Sequence, residues 1–282
     1  MKKVLFLLSL VLISFVVFCS ELRVYFLDVG QGDSTFVITP KNKTILIDGG
    51  DANEYYDYGK DVFNFITKLG YNKVDMVFLT HPHRDHVGGL VYIMENMDVG
   101  KFYDTGFSYP TQVYQEVLEI VKEKNIKYIL GRKKSKVYIE PELEVSILYP
   151  PEILYFDDPN NNSMVVRIKY RNVSILVTGD IERNAEKEIV KKYERNVGQI
   201  ESNILKVPHH GSDTSSSLEF LSLVKPEVAV ISCGRNNRFG FPKSNVLRRY
   251  ERLGVEIYRT DLDGTVEITT DGEDYKVKIY GK

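Results

Sequence analysis

The sequence has no tryptophan, only two cysteines and only five histidines among 282 residues, and its acidic and basic side chains nearly cancel to a formal net charge of −2. Each shortage excludes something. Two cysteines, Cys19 and Cys233, cannot build a disulfide scaffold or a cysteine zinc ribbon. Near-neutrality excludes a protein whose main task is to coat nucleic acid, which needs a basic face, while leaving room for a local basic groove. Hydrophobic residues at 43% and charged residues at 27% exclude a disordered, collagen-like or multi-span membrane chain.

The first twenty residues read apart from the rest. Lys2 and Lys3 precede an apolar stretch, Val4 to Phe18, broken only by Ser9 and Ser14. That length falls short of the roughly 20 residues that span a bilayer, and the pattern is that of an export signal. The expectation is an exported protein, periplasmic or extracellular, whose domain covers residues 21–282. Membrane contact would need an uncleaved anchor or a lipid on Cys19, and Phe18 is bulky for the position before a lipidated cysteine.

Along the remaining chain, short β-branched and aromatic runs alternate with helical spacing. Leu22–Leu27, Ser34–Ile38 and Thr44–Ile47 predict a three-strand antiparallel meander. Tyr58–Leu69 has helical spacing and stops at Gly70; Val74–Leu79 predicts a buried strand and Val87–Met94 the helix after it. A second meander follows at Leu143–Leu148, Met164–Tyr170 and Val173–Val177, then a second alternation of helices and strands. No linker or repeat divides these pieces, so the expectation is one α/β domain of two packed sheets with helices outside.

All five histidines fall in two places. His81, His83 and His86 lie in Thr80-His81-Pro82-His83-Arg84-Asp85-His86, and His209 and His210 are adjacent in Val207-Pro208-His209-His210-Gly211-Ser212. Each group follows a predicted buried strand, where α/β proteins gather reactive groups. Imidazoles two apart, followed by an Asp-His pair, supply ligands for two neighbouring divalent ions. Nitrogen and oxygen donors without thiolate suit zinc first, then manganese or iron. Asp180, in Thr178-Gly179-Asp180, and Asp48, in Ile47-Asp48-Gly49-Gly50, end two further strands. Taken alone, Asp180 reads as a helix cap.

These strings, in this order, resemble the metallo-β-lactamase superfamily, and within it the subgroup typified by the metallo-β-lactamase domain of the competence protein ComEC. The subgroup likeness rests on Leu27-Asp28-Val29-Gly30-Gln31-Gly32-Asp33-Ser34, on Asn160-Asn161-Asn162-Ser163, on the segment from Val207 to Ser212 and on Gly234 to Gly240, and it covers about residues 22–280. The resemblance implies a metallo-β-lactamase-like four-layer αββα sandwich with metals at one edge. It implies that His81 and His83 hold a first metal, Asp85 and His86 a second, that Asp180 bridges them, and that His209 or His210 completes a shell. His209, nearest the strand end, is the preferred of the two. Asp48 would orient the histidine loop from behind.

Two departures from the family stand out. No histidine lies between His86 and His209, where the superfamily places another ligand; the Asn160–Ser163 turn occupies that stretch. The subgroup's Gly-His-Pro is here Gly240-Phe241-Pro242, which removes a ligand or proton donor if that histidine touches metal or substrate in relatives.

The implied chemistry is hydrolysis by hydroxide generated at two metals and held by Asp85 and Asp180, with a phosphodiester as the expected substrate, either a small molecule or a nucleic acid. Candidate phosphate contacts are Ser212, Arg235, Arg238 and Lys243, with Thr214 and Ser215 nearby. The basic run Gly131–Lys136 reads as a solvated hairpin tip ahead of a nucleic-acid contact, and Tyr55–Tyr58 as a partly buried loop with exposed rings ahead of a mouth over the site. No Gly-x-Ser-x-Gly elbow or Ser-His-Asp arrangement competes. The alternatives are a hydrolase of carboxylic esters, lactones or β-lactams, and a non-catalytic binding module on the same fold.

Overall fold

The computed structural model describes residues 21–133 and 136–280, so the reading of residues 1–20 as an export signal, and part of the 131–136 run, lie outside it. No helix among the described residues is long and apolar enough to cross a membrane.

Two sheets face each other. The first begins as an antiparallel meander, β1 (Leu22–Phe26), β2 (Thr35–Ile38) and β3 (Thr44–Ile47), then turns parallel through β4 (Lys73–Leu79), β5 (Asp98–Asp104) and β6 (Lys127–Leu130). The second repeats that plan. Its antiparallel strands β7 (Lys136–Glu140), β8 (Leu143–Tyr149), β9 (Val165–Tyr170) and β10 (Val173–Val177) lead into parallel β11 (Ile204–Lys206), β12 (Val228–Ile231) and β13 (Glu256–Arg259). The closing hairpin, β14 (Val266–Thr270) and β15 (Tyr275–Ile279), returns to the first sheet beside β1.

Strand residues point alternately to opposite faces, so strands buried on both faces must be apolar throughout. In β1, Val24 and Phe26 meet the facing sheet while Tyr25 turns to the helices; in β10, Ile175 and Val177 turn inward and Leu176 outward. The inter-sheet layer is closed by side chains such as Phe78 and Tyr103, stacked at 4.4 Å between ring centres. Helices α1 (Tyr58–Lys68), α2 (Arg84–Val87), α3 (Leu90–Asn96) and α4 (Gln112–Glu123) lie on the side of the first sheet. Helices α5 (Arg183–Tyr193), α6 (Leu218–Val224), α7 (Ser244–Arg252) and the short α8 (Thr260–Asp263) lie on the side of the second. Apolar faces of α1, α3 and α4 join one outer core, and those of α5, α6 and α7 the other. The four-layer αββα sandwich expected from the sequence is the observed fold.

One local reading changes. The expected helix Val87–Met94 is two short helices, α2 and α3, broken at Gly88-Gly89, because the chain there runs against the Gly49-Gly50 turn. A Cβ on Gly89 would strike the Gly49 carbonyl. Of the described residues in the 131–136 run, Arg132 is tied down, donating to the carbonyls of Thr105 and Glu152, and Lys136 opens β7.

Candidate metal centre

In both sheets the chemistry-bearing residues stand where the antiparallel half gives way to the parallel half. Asp48 follows β3 and His81 follows β4 in the first sheet; Asp180 follows β10 and the histidine pair follows β11 in the second. Loops diverge at such a junction and leave a crevice at the strand ends.

The first-sheet loop is braced by Asp48. Its Oδ1 accepts the Thr80 backbone N–H and its Oδ2 the Thr80 hydroxyl, both at 2.7 Å. Oδ2 also lies 2.8 Å from Nδ1 of His86, which leaves Nε2 of that ring facing inward, 3.3 Å from Asp180. His81 Nε2 and His83 Nδ1 approach to 3.0 Å, and His81 lies 3.9 Å from Asp180. Asp48 thus stands behind the histidine loop.

The second-sheet loop corrects one expectation. Both His209 (φ 49°) and His210 (φ 53°) adopt left-handed backbone, which sends neighbouring side chains in different directions. His210, not the preferred His209, enters the centre: its Nε2 lies 3.2 Å from Asp85 and 3.3 Å from Asp180, and its Nδ1 is 2.9 Å from the Ser232 carbonyl. His209 sits at the rim, 3.1 Å from Glu182 and 3.9 Å from Asp180. Counting back to the strand end fails here because two left-handed residues reverse which side chain turns inward.

Asp85, His86, Asp180 and His210 thus offer four ligand atoms within 4.8 Å of one another. Nε2 of His86, Nε2 of His210 and Oδ1 of Asp180 are buried without a hydrogen-bond partner among the described residues. Buried polar atoms left unpaired are costly, and unpaired imidazole nitrogens converging with carboxylates fit a divalent ion. Electrostatics agrees. Burial would push the Asp180 carboxyl up, but His210, His86 and His209 hold it well below the usual range. Burial would push His86 and His210 down, yet Asp180 and other carboxylates hold both well above 6.5. His81 and His83, with more burial than compensation and with His86 beside them, are held below it. The centre calls for positive charge.

Two residues given no role from the sequence stand behind it. Asp33, 3.4 Å from His210 Nδ1 and 3.8 Å from His86 Nδ1, is paired with the buried ammonium of Lys206. A buried ion pair is seldom more stabilising than an apolar pair of similar size, so stability does not account for it; its place behind two inward-facing histidines does. Asp33 reaches there because Gly32, at φ 149°, lets the chain pass the Asp85 carbonyl, which a Cβ would strike. A lone charged residue in the apolar run Ile204–Val207 was the available signal for Lys206. Asp33, Asp48 and His86 also cluster, with Asp48 hydrogen-bonded to Thr80 and His86 and with Asp33 beside Lys206.

The stretch lacking a histidine is structural. Ser163 Oγ accepts the Asp180 N–H at 3.2 Å, and Asn161 Oδ1 accepts the Ala185 N–H in α5. Phe241 lies against both rim and centre, 5.6 Å from the His209 ring and 6.5 Å from that of His210.

Of the four candidate phosphate contacts, only Arg238 borders the crevice. That crevice, of about 630 Å³, is also bordered by His83, Arg84 and Asp85. Ser212 is buried with its hydroxyl on Thr214, because the loop folds back on itself. Arg235 faces a neighbouring cleft beside Asp261, and Lys243 donates to the Phe239 carbonyl. Tyr55 and Tyr56 are exposed loop residues, as expected. Cys233 is buried, its thiol pushed up to about 12 by burial.

Comparison with known proteins agrees with the geometry. Residues 27–235 match the model of the metallo-beta-lactamase superfamily. ComE operon protein 3 of Bacillus subtilis is 32% identical over 88% of this chain and 33% of its own length, in line with the subgroup resemblance; the chain spans about a third of that relative. Ribonuclease Z of Saccharolobus solfataricus is 24% identical over 51% of this chain and 43% of its own. Among solved structures, the metallo-beta-lactamase fold protein YhfI of Bacillus subtilis superposes with a TM-score of 0.57 at 13% identity, covering 88% of this chain and 99% of its own. The chain belongs to the metallo-β-lactamase superfamily, whose members are metal-dependent hydrolases.

Proposed function

We propose that this protein hydrolyses phosphodiester bonds, as a nuclease or phosphodiesterase, with two divalent ions at the centre. The observation that carries the reading is the meeting of the Asp85–His86–Asp180–His210 quartet with a crevice edged by two guanidinium groups, Arg84 and Arg238. Arg84 is balanced by Asp51 at 2.9 Å, whereas Arg238 has no carboxylate partner among the described residues. An anionic substrate is therefore drawn to the side of the crevice that Arg238 occupies, since guanidinium is the side chain best matched to phosphate. The likeness to ribonuclease Z supports a phosphodiester over a carboxylic ester.

Held by these residues, divalent ions would supply a water activated near neutral pH and positive charge for the phosphoryl group. The residues do the rest. Asp85, His86, Asp180 and His210 would hold one ion, and His81 and His83, beside Asp180, would hold the other. Asp48 and Asp33 fix the rings from behind, so the ligands need no reordering during turnover. The oxygen and nitrogen donor set favours zinc, with manganese or iron as alternatives. Export of the protein, through residues 1–20, is part of the same proposal; N-terminal sequencing of the protein from the extracytoplasmic fraction tests it.

Metal analysis combined with parallel assays on a bis-aryl phosphate, single-stranded DNA, an aryl ester and a β-lactam tests the function. Phosphodiester cleavage that disappears in His86→Ala is the expected result. Turnover of the ester or lactam alone would replace this reading with the other hydrolytic one.

A further inference from the structure

Phe241 stands behind an exposed ring of the crevice wall, that of Phe239. Phe239 is 44% exposed, unusual for a phenylalanine in a well-tied loop. Its ring stacks on that of Phe241 at 5.5 Å and 14°, and Phe241 in turn lies 24° from the plane of His210. Three planar rings therefore step from the centre to solvent. The loop that carries them is held firmly. The Asn237 amide donates to the carbonyls of Gly234 and Phe241 at 2.9 and 2.7 Å and accepts the Phe241 N–H at 2.9 Å. Lys243 donates to the Phe239 carbonyl at 2.7 Å.

The outer end of this stack is a crevice wall. Asn237, Arg238 and Phe239 line it together with Gln31, Asp51, His83, Arg84 and Asp85. The guanidinium of Arg238 lies over the Phe239 ring at 4.9 Å. The Gln31 Nε2 is buried without a hydrogen-bond partner among the described residues, a donor in search of an acceptor. A flat ring under an unpaired guanidinium, with a free amide donor close by, is poorly suited to a lipid chain, which wants a concave apolar groove. It is suited to a planar heterocycle joined to a phosphate.

Resting on the phosphodiesterase reading, we propose that Phe239, backed by Phe241, is the platform on which a nucleobase next to the scissile phosphate stacks, so that the substrate is a nucleic acid strand or a nucleotide. Arg238 holds the ring face that the base takes. A cation over an exposed ring is held more weakly than a stacked base, so the guanidinium gives way and turns to the phosphate.

The test uses the full chain loaded with metal and two single-stranded oligodeoxynucleotides of equal length, one with normal bases and one with abasic tetrahydrofuran residues at the cleavage positions. Cleavage kinetics and equilibrium binding by anisotropy are both measured. The wild type should prefer the base-bearing strand by about tenfold, through KM and through Kd. Phe239→Ala should lose the preference with metal content unchanged, and Phe239→Trp should keep it. Equal affinity of the wild type for both strands, or a preference that survives in Phe239→Ala, overturns the proposal. Base-dependent binding without cleavage of any phosphodiester would overturn the phosphodiesterase reading and leave the stacking platform standing.

Discussion

Lys206 and Asp33 form an ion pair in which neither side chain is more than 5% exposed. Removing one partner of such a pair leaves the other as an uncompensated buried charge, a loss of about 3–5 kcal/mol. Lys206→Met should therefore lower the unfolding free energy by roughly that much, as read by denaturant titration. The double variant Lys206→Met, Asp33→Asn should recover a large part of it, and a double-mutant cycle with no coupling would show that the two charges do not depend on each other.

Asp48 acts on the centre only through Thr80 and His86. Asp48→Asn keeps the size and one acceptor but loses the carboxylate that fixes the His86 tautomer. Metal affinity, measured by competition with a chelator, should fall about 10- to 100-fold with the fold retained, as judged by circular dichroism. Unchanged affinity would mean that His86 needs no brace.

The adjacent histidines should behave differently. His210→Ala removes a ring within 3.3 Å of both Asp85 and Asp180 and should lower bound metal by roughly one ion per chain. His209→Ala removes a rim residue paired with Glu182 and should cost less metal. The reverse order, by elemental analysis of the two variants, would restore the assignment that the sequence favoured.

Four histidines with opposed shifts set a pH optimum for the metal-free protein. His86 and His210 keep their protons in the folded state well above 6.5, while His81 and His83 have lost theirs below it. Above pH 6.5 the folded state binds more protons than the unfolded one, so stability falls as pH rises through the folded values of His86 and His210. Below it the unfolded state binds more, through His81 and His83, so stability falls as pH drops. Asp180 and Asp33, held low, add to the acid limb below about pH 4, and Asp48, raised by burial, opposes them. Burial and Lys133 lower Lys192 to about 7, which adds stability as pH rises past that value and opposes the alkaline limb; in a Lys192→Met background, thermal melts after chelation should peak near pH 6.5. Adding zinc or manganese should reverse the alkaline limb, because metal binds the deprotonated rings. A metal-free Tm that climbs steadily to pH 9 in that background would contradict this balance.

Much of this arrangement was legible in the residues. Both meanders and the strand ends that carry His81 and Asp180 follow from apolar alternation and from turn residues placed just after it, whereas a role for Asp48 came only from the family resemblance. What escaped depended on backbone geometry or on distance in sequence. The exchange of His209 for His210 needed two left-handed residues that no residue type announced. The Asp33–Lys206 pair joins positions 173 residues apart, counted from 33 to 206. Ser212 looked like a phosphate contact by its place after the histidines, yet its loop folds back so that the hydroxyl serves Thr214. Arg235 and Arg238 are equivalent on paper and face different clefts.

The ligands are divided between the two sheets: Asp85 and His86 come from the first, Asp180 and His210 from the second. The layer between the sheets is apolar, and apolar contacts hold two surfaces together without strongly opposing a small slide of one over the other. An ion gripped from both sides acts as a rivet through that layer at one end. Its removal should then be felt beyond the loops that touch it, as faster amide hydrogen exchange along β4 and β10 together, while the far hairpin of β14 and β15 stays as protected as before.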